Sequence, residues 1–149
     1  MKRKMVIITI AILVGSFLQF TSSAHEKVHS KKSHGHADWS APPEAAKRAN
    51  PIPSDQESIA RGKELFQTHC AVCHGSAGRG DGPAAVGLNL KPPDLAKMAG
   101  HHPDGDIAWK IENGRGAMPA WKGKLKGEEI WNLTNFIQAL PSEFPYPLK

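Results

Sequence analysis

Apolar and polar positions divide the chain into stretches of different character. Residues 5–20 are almost unbroken apolar sequence, whereas residues 25–53 hold few aliphatic side chains among Lys, Ser, His and Pro. Helical spacing begins after that. Ile59, Gly62, Phe66 and Cys70 recur on one face, behind Ser54-Asp55-Gln56-Glu57, which has the form of a capping box. Gly62 inside that helix costs about 1 kcal/mol relative to Ala, so a second helix is expected to cross closely there. Residues 75–87 are rich in glycine and predict a loop. Residues 93–100 predict a short helix. Asp104 and Asp106 open a longer one with Ile107, Trp109 and Ile111, ended by Gly114. A second loop covers residues 114–126. The last helix runs over about residues 128–140, with Ile130, Leu133, Ile137 and Leu140 on one face, Trp131 and Phe136 beside it, and Pro141 expected to stop it. Nothing reads as a sheet and no internal repeat is visible. The prediction is an all-α domain.

The opening residues change the picture of charge and location. Met1-Lys2-Arg3-Lys4, the apolar run and Thr21-Ser22-Ser23-Ala24 have the layout of a secretory signal over residues 1–24, cleaved before His25. The run is shorter than the ~20 residues that span a bilayer and contains Gly15, Ser16 and Gln19, so export is expected over retention as an anchor. Cleavage removes three basic residues and no acidic one, which lowers the formal charge from +5 to +2. The basic balance is therefore poor support for a nucleic-acid partner. Residues 25–53, with His25, His29, His34 and His36 and then four prolines, read as a largely disordered linker in which only Trp39 is suited to docking. The domain expected is 54–141, followed by a proline-containing tail at 142–149. A small exported domain needs help for its core. The two cysteines, Cys70 and Cys73, could close only a tiny disulfide loop.

Cys70-Ala71-Val72-Cys73-His74 resolves that difficulty. Cys-x-x-Cys-His is the attachment signature of c-type haem. Thiols one helical turn apart can join the two vinyl groups of one porphyrin edge, and the next histidine is then held beneath the ring as an iron ligand. Covalent haem becomes part of the core. A thioredoxin-like redox pair would need a strand–helix context, and a zinc site would need two further ligands at metal spacing. Gly114-Arg115-Gly116-Ala117-Met118-Pro119 supplies a second ligand candidate. The glycines permit a tight loop, Pro119 restricts it, and the Met118 thioether suits haem iron. Met98, His101 and His102 are the rival ligands, the histidine pair foremost.

With these two motifs the chain resembles the class I cytochromes c of the small bacterial kind, over roughly residues 54–141. The resemblance implies the small cytochrome c fold, three to five helices around one haem c, with the first and last helices crossing so that Gly62 and Phe66 meet the 131–137 region. It also implies that His74 gives its other ring hydrogen to the backbone carbonyl of a proline after the motif. Pro83 is the best match, with Pro92 and Pro93 as alternatives. If His74 and Met118 fill both axial positions, no open site remains for substrate or oxygen, and the expectation is a non-enzymatic, periplasmic carrier of single electrons in a respiratory chain. The competing class is a haem sensor or peroxidase-like protein with an open or weakly held sixth position. Partners are expected to be redox proteins, a membrane respiratory complex among them, with no nucleic acid and no small-molecule substrate. Arg115, Lys122, Lys124 and Lys126 around the ligand loop are either an ordinary solvated surface or a rim that steers an acidic partner.

Overall fold

The computed structural model describes residues 39–146. The signal segment 1–24, the histidine-rich stretch and residues 147–149 lie outside them. Six α-helices follow in order: α1 (Pro43–Ala46), α2 (Gln56–His69), α3 (Ala71–His74), α4 (Leu95–Met98), α5 (Asp104–Asn113) and α6 (Gly127–Glu143), with a 3-10 turn at Pro83–Gly87 between α3 and α4. The only β-type pairings among the described residues are two isolated bridges, Arg115 with Met118 and Lys122 with Leu125.

The frame is the crossing of α2 on α6. Asp55 caps α2, its carboxylate accepting from the Ser58 N–H at 2.9 Å, and Arg61 pairs with Glu57 one turn earlier. The cap thus lies one residue later than the capping box expected from Ser54. At the N-terminus of α6, Glu129 accepts from the Lys126 N–H at 2.6 Å. The inner faces then meet at Gly62. A Cβ there would fall 2.0 Å from the Asn132 carbonyl oxygen and 2.8 Å from the Phe136 Cβ. The missing side chain is what lets the helices approach this closely. One turn on, Phe66 and Phe136 stack with centroids 5.2 Å apart, both fully buried beside Leu133 and Leu140. Each such side chain contributes about 1.5–3 kcal/mol on burial. Polar groups at the crossing satisfy one another: Ser58 donates to Asn132 Oδ1 at 2.7 Å, and Asn135 Nδ2 donates to Ser58 Oγ at 2.8 Å.

Two expectations change. Pro141 does not stop α6, which runs through Glu143. Proline forfeits the bond to the Ile137 carbonyl, but so near the helix end little follows, and Phe144 N–H closes the turn onto Leu140 at 2.9 Å. The tail beyond is folded back, with the Tyr146 hydroxyl donating to Asp94 and the Arg79 guanidinium 4.6 Å over its ring. Finally, residues 39–53 are a packed strap. Arg48 forms a two-pronged pair with Glu112 at 3.0 and 2.9 Å, and Asn50 donates to Asn135 at 2.7 Å. Asn135 in turn donates to the Ile52 and Pro53 carbonyls. Long-range partners order a segment that lacks a hydrophobic period of its own.

Candidate functional site

The motif sits where α2 hands over to α3. Cys70 closes α2 with its N–H on the Phe66 carbonyl at 2.8 Å, and its own carbonyl accepts from Cys73 at 3.1 Å and His74 at 2.9 Å. The two thiols therefore lie about one turn apart on nearly continuous helical backbone. The glycine loop folds back beneath them, with Gly80 N–H on the His74 carbonyl and Gly82 N–H on that of Cys73.

Above the motif opens a two-lobed cavity, about 480 Å³ in the larger lobe and about 90 Å³ in the smaller, the scale of a cofactor site. Trp39, Cys70, His74, Pro93, Met118 and Trp121 line both lobes. Phe66 and Leu133 form the apolar floor of the smaller one, and Cys73 borders the larger. Burial, helped by the neighbouring Cys73, pushes the Cys70 thiol up to about 12. The pair ends one helix and opens another rather than following a strand, which speaks against a thioredoxin-like redox site. Burial also holds the His74 imidazole below its ordinary value, opposed by the Pro93 carbonyl beside it, which favours the neutral ring a metal ligand requires. His74 Nδ1 is buried and makes no hydrogen bond of proper geometry. The Pro93 carbonyl is the neighbouring backbone acceptor. The Cys70 thiol, Cys73 at the border of the larger lobe, an imidazole with an unsatisfied nitrogen and a largely apolar cavity against them fit a thioether-linked haem.

Pro83 does not occupy the position expected of it. It opens the 3-10 turn, and the proline carbonyl beside the His74 ring is that of Pro93. The loop reverses before reaching that point, with Leu95 N–H on the Gly78 carbonyl at 2.7 Å, so the later proline comes beneath the ring. Met118 is presented from a tight hairpin: Arg115 N–H bonds the Met118 carbonyl at 2.9 Å and Met118 N–H returns to Arg115 at 3.0 Å. Gly116 takes φ +59° at the turn, a left-handed conformation that a side chain would strain. Of the rival ligands, Met98 and His102 border only the smaller lobe, and His101 is exposed and borders neither lobe. His102 Nδ1 is engaged with Asp106 at 2.8 Å. Trp121, which the motifs do not reveal as a wall residue, is fixed by its N–H on the Ile111 carbonyl and stacks near His69 at 4.9 Å.

Comparison with known proteins points to one family. The domain-family model described as cytochrome c oxidase, cbb3-type, subunit III matches residues 57–137. The chain is similar to cytochrome c6 of Chlorolobion braunii, 34% identical over 89 residues that span 55% of this chain and 90% of the relative. It is also similar to the cbb3-type cytochrome c oxidase subunit CcoP of Azospirillum sp., 35% identical over 91 residues, 58% of this chain but only 30% of that longer protein. A chain of the reducing HAO-like protein complex of Kuenenia stuttgartiensis has a similar fold, with a TM-score of 0.53 at 29% identity, covering 60% of this chain and 46% of that one.

Proposed function

The chain belongs to the class I c-type cytochromes, in the domain family of cbb3-type oxidase subunit III, and on that premise we propose that it is a periplasmic carrier of single electrons in a respiratory chain, its haem iron ligated by His74 and Met118. One covalently bound haem c and an electron-transfer role without enzymatic activity come with the family. The haem, when bound, supplies a one-electron couple at its iron.

The protein's own residues do the rest. Cys70 and Cys73 hold the macrocycle by two thioethers. His74 would offer one ring nitrogen to the iron, and a hydrogen bond from its other, now unpartnered, nitrogen to the neighbouring Pro93 carbonyl would orient the ring. Met118 offers its thioether from the hairpin, and a soft sulfur in a largely apolar cavity favours the reduced state and raises the potential. The observation that carries this reading is that Cys70, His74 and Met118 share the walls of both lobes. With His74 and Met118 both bound to it, the iron would have no open site for water or substrate and would supply electron transfer alone.

Leu88, Leu90 and Pro119 border the larger lobe, with Leu90 54% exposed. Lys91 and Arg115 also border it, and the exposed Lys122, Lys124 and Lys126 follow the ligand hairpin along the chain. An apolar lip with cationic neighbours suits an acidic redox partner, and a membrane respiratory complex is the partner we propose. Among the described residues no helix is long and apolar enough to cross a membrane. The test is the absorption spectrum of the oxidised holoprotein. The long-wavelength sulfur-to-iron band is expected in the wild type, absent in Met118→Ala and retained in Met98→Ala and His102→Ala. Retention of the band in Met118→Ala would overturn the assignment.

A further inference from the structure

The domain family begins to match at residue 57, yet the cavity has a wall residue well before it. Trp39 lines both lobes beside Met118. It stands edge-on to Trp109 with centroids 6.5 Å apart, and the Arg115 guanidinium lies 5.9 Å over its ring. The strap behind it is hooked down at once: the Ala41 N–H donates to Asp106 Oδ1 at 2.7 Å. Asp106 is itself buried and held by Lys110 at 2.6 Å and His102 at 2.8 Å. Arg115 is also the first residue of the hairpin that carries Met118. An unbroken line of contacts therefore runs from the strap through Trp39 and Arg115 to the ligand hairpin.

We propose that Trp39 is a positioning residue that keeps the sixth iron position closed, holding the 115–118 hairpin shut from a strap outside the family domain. This rests on the His74/Met118 reading. An external ligand can replace a methionine thioether only while its loop is open, so the exchange rate follows the open population. Trp39 stabilises the closed state through the Arg115 guanidinium over its ring, at the first residue of the hairpin, and through its place beside Met118 in the wall of both lobes. The strap thereby separates a carrier from a haem protein that binds small ligands.

The test is the rate at which cyanide binds the oxidised holoprotein, read by stopped flow in wild type, Trp39→Ala, Trp39→Phe and Ala41→Pro. Trp39→Ala removes the aromatic edge contact with Trp109 and the cation–π contacts with Arg115 and Lys110, and binding should accelerate about tenfold. Trp39→Phe keeps a ring in these contacts and should stay near the wild-type rate. Ala41→Pro deletes the hook to Asp106 without touching the ring and should accelerate binding by less than Trp39→Ala. A folded Trp39→Ala protein with the wild-type rate would overturn the proposal. If that variant does not yield folded holoprotein, Ala41→Pro decides on the same terms. A wild type without the sulfur-to-iron band, or one binding cyanide as fast as Met118→Ala, would instead overturn the ligand assignment beneath it.

Discussion

Replacing Gly62 by alanine adds one methyl group and should cost far more than a methyl group's worth of stability. Alanine at an open helix position would gain about 1 kcal/mol over glycine. Here the new Cβ would sit 2.0 Å from the Asn132 carbonyl oxygen, 2.6 Å from its carbon and 2.8 Å from the Phe136 Cβ. The first two are backbone atoms of α6 and cannot rotate away. Relief requires α2 and α6 to part by roughly 1 Å, and a gap of that size forfeits a quarter to a half of each van der Waals contact it opens. The contacts at risk include the Phe66–Phe136 stack at 5.2 Å and the Ser58–Asn132 bond at 2.7 Å. Overpacking of this kind costs about 1–3 kcal/mol and occasionally more. Adding the loss of part of an aromatic pair and a buried hydrogen bond, and subtracting the helical gain, leaves a net loss of about 2–4 kcal/mol. The assay is thermal unfolding of the holoprotein followed at the haem absorbance, where each kcal/mol moves the midpoint by roughly 4–8 °C in a domain of this size. Gly87→Ala is the control, since its Cβ would meet nothing within 4 Å, and its midpoint should not move. A Gly62→Ala protein as stable as wild type would refute the close crossing on which the haem cavity is built.

Two further outcomes follow from the electrostatics. Burial alone would raise the Asp106 carboxyl, but donors from Lys110, Ala41 and His102 outweigh it and hold the group below the ordinary carboxylate value. Its stabilisation is therefore fully present above pH ~4 and is lost as pH falls through the depressed native value. Asp106→Asn should cost about 2 kcal/mol at neutral pH in urea unfolding, with the gap to wild type closing below pH ~4, and a gap independent of pH would contradict this. Changing Lys122, Lys124 and Lys126 together to Gln should slow electron transfer to an acidic partner several-fold at low ionic strength, the difference vanishing at high salt. A wild-type rate that ignores ionic strength would dismiss the steering role.

What the sequence disclosed and what it hid have different physical origins. Gly62 was legible because a glycine that weakens a helix needs a reason, and close approach is a common one. The Cys70–His74 motif and the Met118 hairpin were legible because their chemistry is local, fixed by spacing of a few residues. The strap was not. Residues 39–53 carry no period and many prolines, and their order comes from Asp106, Glu112 and Asn135, each more than sixty residues away. The choice of Pro93 over Pro83 beside His74 was hidden for the same reason, since it depends on where a loop turns back. Pro141 misled because its ordinary effect on a helix assumes several turns still to come.

The most direct test of the account is acid–acetone extraction of the mature protein purified from a host with export and haem-attachment machinery. Haem should remain with the polypeptide after denaturation, one per chain, kept out of the organic phase by its bonds to Cys70 and Cys73. Haem that passes into the organic phase, or a folded protein that contains none, would contradict it.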